Sequence, residues 1–326
     1  MSHKFYLVLV LGFCLSIKLN GQQSALSSLF SENQYAFNPA LAGMTGKLEA
    51  AVSYRKQWLD LLGSPETQTF QANAPVQVLG GGIGLRLERD VISQNQFFNG
   101  GLAYSKLIKL GNSWRIGLGA ELGAMQYSLN YSTIRTPEGD YNVIVNHNDP
   151  TLENSGQKSS IAMDLSAGLA LRSSSGFTIG LAISKLMEPK FKLNLSNTQM
   201  AIQRHAVFSV SYPFVIGDNF QLQPSLLVRS NLKQFQTDCN VVANYQNKFR
   251  FGVGLRGYSS STLESVSFIA GYQVNKSLSL MYAYDYGLSG LSAGNSGSHE
   301  VLVKYTTPVS WGVGRAPKTI FTPRLY

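Results

Sequence analysis

Hydrophobic and polar residues alternate with a period of two from about residue 47 to residue 306. Between Ile161 and Arg172, the set Ile161, Met163, Leu165, Ala167, Leu169 and Leu171 shares one side. Asp164, Ser166, Gly168 and Arg172 share the other. Trp114, Ile116, Leu118, Ala120 and Leu122 alternate in the same way with Arg115, Gly117, Gly119, Glu121 and Gly123. So do Leu278, Leu280, Tyr282, Tyr284 and Tyr286 with Ser277, Ser279, Met281, Ala283 and Asp285. Side chains of a strand point to opposite faces in turn, so each stretch predicts a strand with one apolar and one polar, Gly-rich face.

Read in series, the pattern predicts about fourteen strands. They fall near residues 47–58, 66–77, 80–90, 95–109, 113–127, 157–173 and 176–187. The others fall near 201–213, 217–232, 235–246, 248–259, 264–275, 277–286 and 297–306. An apolar face opposite a polar one, repeated this often, is the dyad pattern of a transmembrane antiparallel β-barrel with lipid outside and a polar lumen inside. An even strand number suits closure, which lipid demands because an open edge would leave backbone groups unpaired. Connection lengths agree: the second, fourth, sixth and twelfth are at most three residues long, as periplasmic turns should be. The fifth, residues 128–156, is the longest and should be external, with Thr136-Pro-Glu-Gly-Asp140 and His147-Asn-Asp-Pro150 inside it. Tyr104, Trp114, Tyr127, Tyr212, Phe214, Tyr272 and Tyr305 stand near strand ends, where interfacial aromatic girdles are expected.

Composition narrows the picture. The 326 residues are 44% hydrophobic but only 14% charged, against roughly 25% charged in an average soluble domain. That apolar share excludes disorder, and two cysteines exclude a disulfide scaffold. At the N-terminus, Lys4 precedes the apolar run Phe5–Ile17 and the small residue Gly21, a signal-peptide pattern with cleavage expected after Gly21. Loss of residues 1–21 removes Lys4 and Lys18 and no acid, taking the formal charge from +9 to +7. It also removes Cys14 and leaves Cys239 alone. The expected layout is a signal peptide (1–21), a periplasmic N-terminal segment (22–46), the barrel (47–306) and a periplasmic C-terminal tail (307–326). The mature chain should lie in the outer membrane. Its cations are dispersed, so nucleic acid is not an expected partner; outer-membrane lipid is.

Candidate chemistry is sparse. Gly252-Val-Gly-Leu-Arg-Gly257 fits a dinucleotide-binding spacing but lies inside an alternating strand with no helix after it. His147, His205 and His299 are scattered, and Cys239 has no partner at metal-ligand spacing. His299-Glu300 is the only adjacent base–acid pair, and no serine sits in a nucleophile motif. The expectation is a non-enzymatic barrel without cofactor or metal. The informative charges are those on the lumen side: Arg86 and Glu88, Arg115 and Glu121, Asp164 and Arg172, then Arg250, Arg256 and Asp285. Their mixed signs suggest cross-strand pairs that brace the interior, although a porin would line a channel with the same residues. Inward glycines beside them leave room for a plug or a partner segment.

Four stretches together resemble the PorP/SprF family of the type IX secretion system. They are Gln34-Tyr-Ala-Phe-Asn-Pro-Ala-Leu-Ala-Gly43, Tyr54-Arg-Lys-Gln-Trp58, Gly63-Ser-Pro-Glu-Thr67, and Ser298-His-Glu300 with the terminal Pro323-Arg-Leu-Tyr326. The resemblance implies an outer-membrane barrel that works with the periplasmic ring and motor of that pathway. It also implies a secreted or surface protein, gliding adhesins among them, held through its C-terminal sorting domain. The residues carrying the resemblance become partner-binding candidates: Asn38, Pro39, Gly43, Arg55, Gln57, Trp58, Pro65, His299 and Glu300. Trp311, Arg315, Arg324 and Tyr326 join them, because aromatic and Arg anchors are typical of interface hot spots and the tail has no barrel to build. Asn38-Pro39 should force a turn, and Trp58 can equally serve as a girdle anchor. The alternative left open is a porin-like or hydrophobic-solute channel.

Overall fold

The structure, a computed structural model, describes residues 25–131, 134–140, 148, 156–193, 199–257, 263–290, 294–308 and 310. Among the described residues no helix is long and apolar enough to cross a membrane. The chain is instead strands. β1 (Glu49–Lys56), β2 (Glu66–Val76), β3 (Gly81–Ile92) and β4 (Asn95–Leu110) form an antiparallel meander. It continues through β5 (Trp114–Asn130), β6 (Gln157–Ser173) and β7 (Thr178–Ser184). Two short strands, β8 (Lys190–Lys192) and β9 (Gln199–Ala201), pair only with each other. β10 (His205–Ser211) returns to the wall, and β11 (Phe214–Ile216) carries its line onward. β12 (Phe220–Ser230), β13 (Phe235–Tyr245) and β14 (Phe249–Arg256) follow. β15 (Ser265–Gln273), β16 (Leu278–Gly287) and β17 (Ser298–Thr306) complete the wall.

With β10 and β11 counted as one strand, the wall is a closed antiparallel barrel of fourteen, as the alternation predicts. Closure comes from β1 pairing with β17, Val52 opposite Val303 and Arg55 opposite Glu300. The break between β10 and β11 falls at Pro213, which has no N–H to give the ladder. One end of the barrel carries only short turns, such as those at 111–113, 217–219 and 246–248. The other end carries the long connections, including 131–156, 185–204 and 288–297.

The faces follow the alternation. Leu102, Leu118, Leu122, Ile161, Leu169, Leu181, Phe251, Phe268, Val301 and Val303 all present outward and are exposed. Their neighbours Ser105, Glu121, Ser166, Asp238, Ser267, Asp285 and Glu300 are buried inside. A wall this apolar is stable only against lipid. At the short-turn end Trp114, Phe177, Tyr212 and Phe214 form a chain of edge-on aromatic contacts, with centroids 6.1, 5.8 and 4.4 Å apart. Tyr127 departs from the expected girdle: it faces inward and stacks on Phe97 at 4.9 Å.

The segment expected below the barrel lies inside it. Residues 25–46, the described part of 22–46, run through the lumen as three short 3₁₀ turns, Phe30–Glu32, Gln34–Phe37 and Pro39–Leu41. Leu29, Phe30, Tyr35, Ala40, Leu41, Ala42 and Met44 are buried there. The reason is apolar burial: in water these side chains would stay exposed, whereas the lumen covers them at roughly 25 cal/mol per Å². The signal peptide and the tail beyond residue 310 lie outside the described residues.

Candidate functional site: a lumen filled by its own N-terminal segment

Six inward glycines make the seat. A Cβ on Gly82 would run into Ala42, on Gly84 into Tyr35, on Gly117 or Gly119 into Ala40, and on Gly168 or Gly180 into Asn38. The Gly-rich faces of β3, β5, β6 and β7 therefore admit a second layer of backbone where any side chain would exclude it. Asn38 locks that layer. Its Oδ1 accepts from Ala40 N at 2.9 Å, and its Nδ2 donates to the carbonyls of Leu169 at 3.0 Å and Leu181 at 3.2 Å. Pro39 occupies the first position of the following turn, where its missing N–H costs nothing. Gly43 has φ +67 and lies so close to Pro75 and Gly82 that a Cβ would meet both Cα atoms at 2.8 Å. Only glycine fits that position without strain.

The opposite wall holds the segment by charge. Arg55 on β1 pairs with Asp285 on β16 at 2.5 Å and with Glu300 on β17 at 3.2 Å. Arg256 on β14 reaches Asp285 at 3.1 Å and Asp238 on β13 at 2.6 Å, and Arg229 on β12 reaches Asp238 at 2.6 Å. With Ser267 of β15 donating to Asp285 at 2.7 Å, the belt touches seven neighbouring strands. Ser28 is its hub. Its hydroxyl donates to Asp285 at 2.7 Å and accepts from Arg55 at 3.2 Å and Arg256 at 2.9 Å. Its backbone N–H donates to Glu300 at 2.7 Å. Further along, Glu32 pairs with Arg250 at 2.8 Å. The segment thus runs from the long-loop half at Ser28 to the short-turn half at Glu32, then crosses to the glycine seat.

The remaining lumen charges are placed as follows. Arg86 joins Glu121 at 2.6 Å and Glu88 at 3.8 Å. Tyr35 lies beside them, its phenol against Gly84. Two expected pairs do not form. Arg115 donates instead to the Met44 carbonyl at 3.2 Å, and Asp164 accepts from the Lys185 backbone at 3.1 Å. The register explains this: Arg115 stands opposite Arg172, and Glu121 opposite Ser166.

The segment divides the lumen in two. Toward the long-loop end is a cavity of 120 Å³, bordered by Tyr35, Arg86, Glu88, Asp164, Lys185 and His205. Toward the short-turn end is one of 180 Å³, bordered by Glu32, Thr45, Glu49, Arg172, Thr178 and Lys304. Above the first, the β8–β9 hairpin folds back onto the barrel. Phe191, fully buried, packs with Met125, Tyr127 and Ile202, its ring 5.7 Å from that of Tyr127. The segment and the hairpin thus fill the lumen at two levels.

Among the partner-binding candidates, Arg55 and Glu300 are only 3% and 2% exposed and already engage the chain's own segment. Asn38, Pro39 and Gly43 are likewise consumed inside the barrel. Gln57, Trp58 and Pro65 shape the first long-end loop, with Gln57 N donating to Pro65 O at 2.9 Å and Trp58 N to Ser298 Oγ at 3.1 Å. His299 points outward and takes a 2.7 Å hydrogen bond from or to Tyr282 Oη. Trp311, Arg315, Arg324 and Tyr326 lie outside the described residues. Sequence reasoning passed over Ser28, Arg229 and Asp238. The two charged residues share the inward parity of Arg256 along their strands, which was a usable signal; Ser28 carried none.

A match to the family described as type IX secretion system membrane protein PorP/SprF spans residues 19–305, and the chain belongs to that family. No curated protein matches the chain. Among solved structures, the Ralstonia pickettii toluene transporter TbuX is 10% identical, with 83% of this chain and 92% of that one covered and a TM-score of 0.44. The Pseudomonas putida toluene transporter TodX is 8% identical, over 83% and 92%, at 0.48. The Acinetobacter baumannii outer membrane protein Omp33 is 7% identical, over 80% and 99%, at 0.41. Family and fold together make this an outer-membrane β-barrel related to type IX secretion.

Proposed function

We propose that this barrel anchors rather than conducts. Its long-loop end would hold the C-terminal sorting domain of a secreted or surface-displayed protein, gliding adhesins included. Its short-turn end would meet the periplasmic ring and motor of type IX secretion. Family membership supplies the pathway. The observation that carries the anchoring role is the filled lumen: residues 25–46 are bonded to both walls, and the β8–β9 hairpin covers Met125 and Tyr127. A diffusion pore gains nothing from such a filling, whereas a braced, rigid cylinder suits a load-bearing anchor. The same filling weighs against the porin-like alternative.

Co-purification from outer membranes tests the reading. Deleting residues 308–326 is expected to abolish recovery of periplasmic ring components while heat-modifiable migration of the barrel persists. Unchanged recovery refutes the tail as the docking element. Absence of any secreted protein or ring component from the intact barrel's pull-down refutes the anchoring role itself.

A further inference from the structure

Lys109, Arg115 and Arg172 occupy one register row. Lys109 of β4 stands opposite Arg115 of β5, which stands opposite Arg172 of β6. All three fall on the lumen side, with Gly117, Gly119 and Gly168, at the short-turn end. Directly opposed like charges are destabilising across a sheet, so three in a row call for a compensating anion.

Among the described residues only Glu49, which borders the same cavity as Arg172, lends the row any negative charge, and it is shared with Lys304. Among the described residues, none of the three forms an ion pair; the two acids of that half of the lumen are already taken. Glu49 pairs with Lys304 at 3.0 Å, and Glu32 with Arg250 at 2.8 Å. Arg115 spends one donor on the Met44 carbonyl. Arg172 borders the 180 Å³ cavity, beside Thr45 and Thr178.

We propose that this row is an oxyanion site for carboxylates of an acidic polypeptide segment that reaches it from the short-turn end. Paired guanidiniums suit carboxylate oxygens by geometry as well as charge. The row faces the vestibule and not the lipid, which favours a polypeptide over a phospholipid headgroup. The inference stands on charge geometry alone and is independent of the secretion reading.

The test uses the full barrel in zwitterionic detergent, in low-salt buffer free of phosphate, and reads the midpoint of heat-modifiable unfolding. Hexaglutamate is expected to raise it by about 2–4 °C. The double variant Arg115→Gln with Arg172→Gln should lose that response. Without ligand it should melt close to the unsubstituted protein, because the relieved repulsion offsets the Met44 hydrogen bond and the Glu49 attraction that the two arginines give up. Lys109→Gln, altered at the exposed rim, should weaken the response without harming the fold. No shift with hexaglutamate overturns the site, as does a shift that survives in the double variant. A response to inorganic phosphate alone, or to phosphatidylglycerol vesicles alone, overturns the polypeptide assignment in favour of that source.

Discussion

Arg55 and Asp285 meet at 2.5 Å across the seam where the barrel closes, with β17 lying between their strands. The pair is one link of a belt in which every charge is shared: Asp285 also receives Arg256, and Arg55 also receives Glu300. Removing one partner from such a buried network strands the others, at a typical cost of about 3–5 kcal/mol. Arg55→Ala should therefore lower the heat-modifiability midpoint sharply, and Arg55→Lys should recover only part of it, since an ammonium cannot fork between two carboxylates. A midpoint within experimental error of the unsubstituted protein would contradict the belt.

Ser28 ties the N-terminal segment to that belt through both its hydroxyl and its backbone N–H. Asn38 ties it to the opposite wall. Each hydrogen bond contributes about 0.5–1.5 kcal/mol net, so Asn38→Ala should cost the segment about 1–3 kcal/mol. The wall strands keep their own ladders, so the loss should be local. Hydrogen exchange should show faster amide exchange across residues 30–44 with the barrel strands unchanged; uniform loosening of the strands would contradict a purely local lock.

The glycine seat offers a complementary test. A side chain on Gly119 or Gly168 collides with backbone or side-chain atoms of residues 38–40 while pointing away from neighbouring strands. Overpacking of this kind costs about 1–3 kcal/mol. Gly119→Val with Gly168→Val should expel the segment, leaving residues 25–46 open to protease in a barrel that still migrates as folded. In planar bilayers the unsubstituted protein should stay silent, and the double variant should conduct once Phe191→Ala also frees the β8–β9 hairpin from the mouth. Large, stable single-channel steps from the unsubstituted protein would contradict the filled lumen.

The barrel was legible because its signal is repeated: fourteen strands each carry the same alternation, and lipid requires every one of them to expose the apolar set. Errors at the ends have local causes. Lys185 and Glu188 adopt positive φ, at 59° and 47°, which ends β7 at Ser184 and turns the chain toward the hairpin. The lumen was only half legible. Inward glycines announced room, and inward charges announced bracing, but residues 25–46 have no periodicity that says which surface buries them. Their apolar residues are spaced for irregular turns, so the occupant of the space could be read only from three-dimensional contacts. Pairing failed for Arg115 and Glu121 because sharing a face does not bring together residues six positions apart along one strand; register does.

Phe191 is fully buried although it sits in a connection, and its ring packs with Tyr127, Met125 and Ile202 inside the long-loop mouth. Buried Phe→Ala changes typically cost about 3–5 kcal/mol, and here the cost should fall on the β8–β9 hairpin, whose two strands form a sheet of their own. Phe191→Ala should therefore release the hairpin without unfolding the barrel. A cysteine-reactive label makes the outcome measurable. The native Cys239 faces outward among lipid-side residues and should resist a charged maleimide in intact membranes. A cysteine placed at Met125 in the Phe191→Ala background should react with that reagent from the long-loop side, and the same cysteine beneath an intact Phe191 should not. Equal labelling in both backgrounds would mean that the hairpin does not cover the mouth.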